Sequence, residues 1–208
     1  MRLRVVPQDK VFFDLLAALA RLLADEQLVL AEMSGAAVDE RDTILERVAG
    51  ICTEADESMH GVLRALRENY ITPLPREDIF ELGEGLRHAC RVMRSVAFAL
   101  SADALEEPPA GTAQYLQLIG SQAELTVRMT TRLAAMRDLW EYHDEVSRLT
   151  LRGHGLYENI VAAARPGLGE AAGPIEVATL ALAEALGRAD DAFRGIARVV
   201  GRIAVKES

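Results

Sequence analysis

The chain has 208 residues, of which half are hydrophobic and only 5% are aromatic, and its formal net charge is −9. This length suits one domain or two small ones with a full core, and the acidic balance argues against a nucleic-acid surface. The two cysteines, Cys52 and Cys90, are too few for a disulfide framework and favour a reducing compartment.

The N-terminal region carries no pattern of a leader or a membrane span. Met1 to Arg4 is basic, but no uninterrupted apolar segment follows it, so we predict no signal peptide. The leucine-rich segment 11–33 is interrupted by charged residues, which predicts no direct membrane insertion. These interruptions are Asp14, Arg21, Asp25, Glu26 and Glu32.

Two long helices are predicted before residue 70. The first runs from an N-cap at Asp9 to about Met33, where Ser34-Gly35 ends it, and the second runs from about Asp39 to Asn69. Both carry apolar residues spaced three and four positions apart, which places them on one buried face of the helix. On the second helix these are Ile44, Val48, Ile51, Ala55, Met59, Val62 and Leu66.

The segment Ile71–Ile79 predicts a tight corner between two antiparallel helices. Pro73 and Pro75 cannot lie inside a helix, but Pro75 suits a first helical position. Glu77 and Asp78 place negative charge on the exposed N–H groups of the new first turn. A third helix therefore runs from about Arg76 to Leu100. The corner residues of interest are Thr72, Pro73, Pro75, Arg76 and Asp78.

Three further helices are predicted after the loop 106–111. Thr112 caps the fourth helix, which continues to about Asp138. The fifth helix spans about Tyr142 to Ala164 and is weakened locally by the glycines at 153 and 155. After a loop at 166–173, Pro174 opens the last helix. The apolar residues of this helix are separated alternately by four and three positions, which is the heptad spacing of helix bundles. The stripe is Leu182, Leu186, Ala189, Phe193, Ile196, Val200 and Ile203.

These patterns predict an all-α fold of six helices without strands. Each half of the chain has a first helix, a long second element, a proline-marked corner and a third helix. We therefore predict one helical domain over 1–208, built from two three-helix units at about 1–107 and 112–208.

The order of elements, the corner "ITPLPREDI", and the ending "GRIAVKES" after a loop with "GPIEV" resemble the PhoU-related family of bacterial phosphate-transport accessory proteins. The most similar branch is the one associated with Pit-type phosphate permeases. This resemblance covers nearly the whole chain, but only the corner motif is fairly specific. It implies a six-helix PhoU-like bundle that acts as a non-enzymatic regulator of a membrane phosphate transporter. It also implies a cytoplasmic protein that reaches the inner face of the membrane through its partner, and a homo-oligomer.

The resemblance also implies surface metal sites made of acidic pairs spaced i and i+4. This chain departs from that pattern, because only Asp56 and Asp191 remain carboxylates at the matching positions, and arginines stand on the third helix. We expect no multinuclear metal cluster and no cofactor beyond a weakly bound divalent metal. The matching positions are Cys52 and Asp56, Arg87 and Arg91, Thr150 and His154, and Gly187 and Asp191.

Two further readings of these positions stay open. Cys52, Asp56 and His60 share one helix face and would suit zinc if a neighbour completed the shell, but a buried cysteine beside solvated polar groups is the more common arrangement. Arg87 and Arg91 would suit an anion such as phosphate, or form ion pairs on a solvated face.

A di-iron site is disfavoured, because the E-x-x-H unit at Glu57 and His60 has no second copy. His154 and Asp191 are expected on neighbouring helices, as a hydrogen-bonded pair or as part of a weak metal site. The alternative function is therefore a metal-binding bundle or a metal-dependent enzyme.

The helix register around the corner makes one geometric prediction. Asp56 precedes Thr72 by about as many residues as separate Thr72 from Arg87 and Arg91. Antiparallel helices of equal rise bring such positions to the same height. We therefore predict an ion pair between Asp56 and one of these arginines. This pair would occupy the position of the metal site that the resemblance implies.

Overall fold

The computed structural model describes residues 7–164 and 172–207, and over these residues the fold is all-α. Six long helices account for most of the described chain, and short 3₁₀ turns at Val38–Glu40 and Leu133–Ala135 lie between them. The helices are α1 (Pro7–Met33), α2 (Arg41–Glu68), α3 (Arg76–Leu100), α4 (Thr112–Arg132), α5 (Leu139–Ala164) and α6 (Pro174–Lys206). None of these helices is long and apolar enough to span a membrane.

The six helices pack around one continuous core. In the first half, α1, α2 and α3 all contact one another, and in the second half α5 contacts both α4 and α6. The contacts of α1 with α4 and of α3 with α6 join the halves and are among the most extensive in the molecule. The division into two three-helix units at about 1–107 and 112–208 stays a prediction.

The heptad stripe predicted for α6 is buried along its whole length. Because the other helices present similar stripes of leucine, alanine and valine, the core contains few aromatic side chains. Its buried phenylalanines and tyrosines are Phe12, Phe13, Tyr115, Tyr142 and Phe193. Helix α6 lies against both α3 and α5, so its two flanks form the floors of two surface clefts.

The corner between α2 and α3 is held by its own polar side chains. Arg76 donates to the carbonyls of Asn69 (2.8 Å) and Leu66, which closes the C-terminal end of α2. The Thr72 hydroxyl donates to the Leu74 carbonyl at 2.7 Å, and the Leu74 side chain is buried. Pro75 is the N-cap rather than the first helical residue, since α3 begins at Arg76.

Asp78 ties the start of α3 to the end of α6. Its carboxylate is 1% exposed and accepts hydrogen bonds from Lys206 Nζ at 2.8 Å and from Arg202 Nε at 3.1 Å. Asp78 belongs to the stretch "ITPLPREDI", and both cations belong to "GRIAVKES". The two stretches that carry the family resemblance therefore contact each other, and their contact is one of packing and charge.

Several predicted helix ends were wrong. Helix α1 begins at Pro7, so Asp9 is not its N-cap, whereas the start predicted for α2 near Asp39 lies in the 3₁₀ turn that leads directly into α2 at Arg41. Thr112 does not cap α4, because the N-cap is Gly111 with φ 94°, and no described group bonds the buried Thr112 hydroxyl.

The boundary between α4 and α5 was also misplaced. Helix α4 ends at Arg132, and α5 begins at Leu139 and continues without a break through Gly153 and Gly155. Most of the loop predicted at 166–173 lies outside the described residues.

Candidate functional site

The surface of α2 and α3 carries an ion-pair cluster centred on Asp56. Arg91 Nη2 lies 2.8 Å from Asp56 Oδ1 and 3.1 Å from Oδ2, and Arg87 Nη1 lies 3.1 Å from Oδ1. Arg87 also contacts Glu84 on its own helix at 2.5 Å. The ion pair that the helix register predicts is present, and it involves both arginines rather than one.

The two guanidinium groups keep the Asp56 carboxylate ionised. Partial desolvation of Asp56 opposes this, but the hydrogen bond from Arg87 and the charge and hydrogen bond of Arg91 outweigh it, so the pKa of Asp56 lies below its usual value. A cation would have to displace two guanidinium groups to reach this carboxylate. Exposed pairs of this kind contribute about 0–1 kcal/mol to stability.

A groove of about 850 Å³ between α3 and α6 adjoins this cluster. Alanines from both helices line it, and Ala185 is buried at its floor. Arg91, Arg94 and Arg188 lie along its sides, and Phe98, with 73% of its surface exposed, lies beside them. We call this feature the α3/α6 groove. It is a basic, partly apolar surface on an acidic chain.

Cys52 does not share a surface with Asp56 and His60. Cys52 is buried and His60 is exposed, and the Asp56 carboxylate forms ion pairs with Arg87 and Arg91. Among the residues that the structure describes, no three His, Cys, Asp or Glu side chains lie together in a way that would hold a metal ion. The Cys52 thiol instead donates to Glu26 Oε1 at 3.6 Å.

Glu26 is a buried carboxyl group that the sequence interpretation missed. It is fully covered, lies against the thiols of Cys52 and Cys90, and its Oε2 atom has no hydrogen-bond partner in the described part of the chain. Burial raises the pKa of Glu26 to about 8 and that of Cys52 to about 12. Both groups therefore stay protonated at neutral pH. The available signal was that Glu26 continues the apolar stripe of Leu19, Leu23 and Leu30.

His154 and Asp191 both line a cleft of about 580 Å³ between α5 and α6. Within the described residues no hydrogen bond joins them. His154 Nε2 lies 3.3 Å from Glu158 Oε1, and Asp191 Oδ1 lies 2.5 Å from Arg194 Nη2. Their two other matching positions, Thr150 and Gly187, line the same cleft. The structure thus brings these positions together around a shared space, with separate partners for His154 and Asp191.

The floor of this α5/α6 cleft contains Asp190, which the sequence interpretation also missed. Its carboxylate accepts from Gln122 Nε2 at 2.6 Å and from Thr150 Oγ1 at 3.1 Å. Burial raises the pKa of Asp190, although these two hydrogen bonds oppose the shift. The available signal was that Asp190 lies four residues after Leu186 and next to Ala189, on the buried side of α6.

Comparisons with known proteins identify no family. No protein-family model matches the chain, and no curated protein matches its sequence. The functional interpretation therefore depends on the chemistry of the surfaces described above and on the motif resemblance.

Proposed function

We propose that this chain is a non-enzymatic interaction protein that regulates or assists a membrane transporter of phosphate or a related anion. The observation that carries the interaction part is the α3/α6 groove, which places Arg94 and an exposed phenylalanine beside Arg91 and Arg188, each paired with one acid, on a chain of net charge −9. The transport part is supported by the resemblance of the corner and the C-terminal ending to the PhoU-related family.

The composition of the groove suits a protein partner. Arginine and aromatic side chains are enriched in protein interfaces, where they supply much of the binding energy. The acidic remainder of the surface repels an acidic segment, so the arginines of the groove define where such a segment approaches. Phe98 supplies an apolar anchor beside them. We infer that the partner presents an acidic helix or loop, carried in this proposal by a Pit-type permease.

This proposal is tested by copurification with a Pit-type permease in detergent. The wild-type chain should copurify with the permease, and Arg94→Glu combined with Phe98→Ala should reduce the recovered complex at least tenfold by reversing the charge and removing the anchor. Arg64→Glu, an exposed arginine on α2, is the matched control and should leave recovery unchanged. Copurification that is equal for all three proteins, or absent for the wild type, would contradict the proposal.

The family resemblance also supports self-association. We propose a homo-oligomer, and sedimentation velocity at high protein concentration measures it directly. A species that stays monomeric across the whole concentration range would exclude this part of the proposal.

The alternative, a metal-binding bundle or metal-dependent enzyme, would be recognised by the metal content of the purified protein. Elemental analysis of purified protein would favour it if iron were stoichiometric, or if zinc were present and depended on Asp56. Such a result would also require ligands to reorganise, because Arg87 and Arg91 now hold the Asp56 carboxylate.

A further inference from the structure

The α5/α6 cleft has a buried carboxylate at its floor that forms no salt bridge with a cation of the described residues. Asp190 is 4% exposed, and its Oδ1 atom receives both hydrogen bonds from Gln122 and Thr150. Within the described residues, Oδ2 accepts no hydrogen bond and makes no ion pair. Because Oδ1 already accepts two hydrogen bonds and Asp190 lines an open cleft, Oδ2 keeps the acceptor capacity that a donor group of a ligand in the cleft would use.

Gly153 on α5 provides the space for this carboxylate. A Cβ atom at this position would lie 2.5 Å from Asp190 Oδ2 and 3.2 Å from the Tyr115 ring. Any other residue would therefore push against both groups, and the glycine lets Asp190 and Tyr115 approach the α5 backbone side by side. The carboxylate consequently lies next to the ring of a buried tyrosine, with the open cleft beyond them.

Aromatic rings form one wall of the cleft. The His154 and Tyr157 rings stack nearly parallel, with centroids 6.4 Å apart and planes 14° apart, and Tyr115 lies deeper. Aromatic faces attract cations as well as apolar groups, because their π electrons carry negative charge. A small ligand with a positive head and an apolar body matches this wall and the carboxylate at the floor.

The charges at the mouth of the cleft largely cancel. Arg194 pairs with Asp191 at 2.5 Å, and Arg188 lies 3.5 Å from Glu184. With these pairs formed, Asp190 is the charge that remains for a ligand, which disfavours an anion. No three metal-ligating side chains meet in the described chain, which disfavours a tightly held metal ion here. Ligands with N–H donors and no negative charge fit these constraints, and among them an organic cation also matches the aromatic wall.

We propose that the α5/α6 cleft binds a small organic primary ammonium, whose head donates to Asp190 Oδ2 and whose apolar body packs on Tyr115, Tyr157 and His154. The proposal is independent of the transporter function proposed above, because the residues that would hold the ligand do not line the α3/α6 groove, although Arg188 borders both surfaces. Burial of Asp190 also means that an adjacent cation stabilises the ionised form of its carboxyl group.

The test uses three probes of one shape and different charge. Benzylammonium chloride, benzyl alcohol and sodium benzoate are titrated into the full chain by isothermal calorimetry. Benzylammonium should bind with a Kd of roughly 0.1–1 mM, and the alcohol and the benzoate should bind at least tenfold more weakly. Equal binding of the three probes, or no benzylammonium binding up to about 10 mM, overturns the proposal.

Two variants locate the binding. Asp190→Asn keeps the shape but removes the charge, and it should weaken benzylammonium binding at least tenfold. Asp42→Asn, an exposed aspartate on α2, should leave binding unchanged. Unchanged binding in Asp190→Asn overturns the proposal.

A measurement on the wild type covers the case in which Asp190→Asn fails to fold. Benzylammonium should shift the NMR signals of the Tyr115 and Tyr157 rings, which line the cleft. Shifts confined to tyrosines outside the cleft, such as the exposed Tyr70, would overturn the proposal.

Discussion

At the residue scale, Glu26 links the stability of the bundle to pH. Its carboxyl group is fully covered, and burial raises its pKa to about 8 against the ordinary value of 4.5. The folded chain therefore retains this proton to a higher pH than the unfolded chain does. The stability that this group contributes is complete below about pH 4.5 and is lost as the pH rises through about 8.

Glu26→Gln should remove this part of the pH dependence. The amide cannot ionise, so the variant should equal the wild type near pH 4.5 and exceed its unfolding free energy by about 3–5 kcal/mol at a pH above the shifted pKa. Urea unfolding across this pH range measures the difference. Glu54→Gln, an exposed glutamate on α2, should follow the wild-type curve. Parallel curves for Glu26→Gln and the wild type would show that Glu26 titrates normally.

The second prediction at this scale concerns Arg87 and Arg91. Replacing both by aspartate would place two new carboxylates beside Asp56 and Glu84, which the arginines now contact. Because several carboxylates on adjacent helix faces suit hard and transition cations, this variant should gain affinity for a divalent or trivalent cation. Calorimetry with manganese measures it. Arg87→Gln with Arg91→Gln is the control that removes the cations without adding acids. If the aspartate variant binds no metal, this surface is not a converted metal site.

At the element scale, the joint between α3 and α6 depends on Asp78. The carboxylate lies in the first turn of α3, and Lys206 comes from the last turn of α6. An acid near a helix N-terminus and a base near a C-terminus are each favoured by the helix dipole. Since both helices gain from the same bridge, the joint aligns the corner of the first half with the end of the chain.

Asp78→Asn should destabilise the chain by about 1–3 kcal/mol, because the amide leaves Lys206 and Arg202 without their shared anion. Both cations are 41–42% exposed, so water replaces part of the lost interaction and limits the effect. Denaturant unfolding measures the change. Glu81→Gln, which removes the more exposed partner of Arg202, should cost less than about 1 kcal/mol. Equal effects of the two substitutions would mean that burial of Asp78 adds nothing to the bridge.

At the scale of the whole molecule, the contacts between the halves decide whether the chain unfolds in one step. Helix α1 packs on α4, and α3 packs along α6, so neither half can unfold without exposing the core side of the other. If one half unfolded, the other half would expose the apolar surface that it buries at these contacts and would lose stability. We therefore expect a single cooperative unfolding transition.

The single tryptophan, Trp140 on α5, makes this expectation measurable. Its fluorescence reports on the second half, whereas the far-ultraviolet circular dichroism reports on all six helices. Both signals should change at the same urea concentration. A fluorescence midpoint clearly separated from the dichroism midpoint would instead support two separable three-helix units, as the repeated order of elements predicts.

The bounds of α3 illustrate what local sequence decides. Pro75 forces the chain out of the helix before Arg76, and the predicted range of Arg76 to Leu100 is the observed one. The boundary between α4 and α5 carries no such signal. Met136 and Asp138 adopt positive φ there, of 49° and 61°, and neither residue type requires that conformation.

The sequence alone determined the helical class, the buried stripe of α6 and the height at which Asp56 meets Arg87 and Arg91, because each follows from the period and rise of one helix or of one hairpin. Only the tertiary structure decided the two buried polar clusters. Glu26 meets thiols from α2 and α3, and Asp190 meets Gln122 from α4 and Thr150 from α5. Periodicity shows which face of a helix is buried, but the neighbour across that face depends on how all six helices pack.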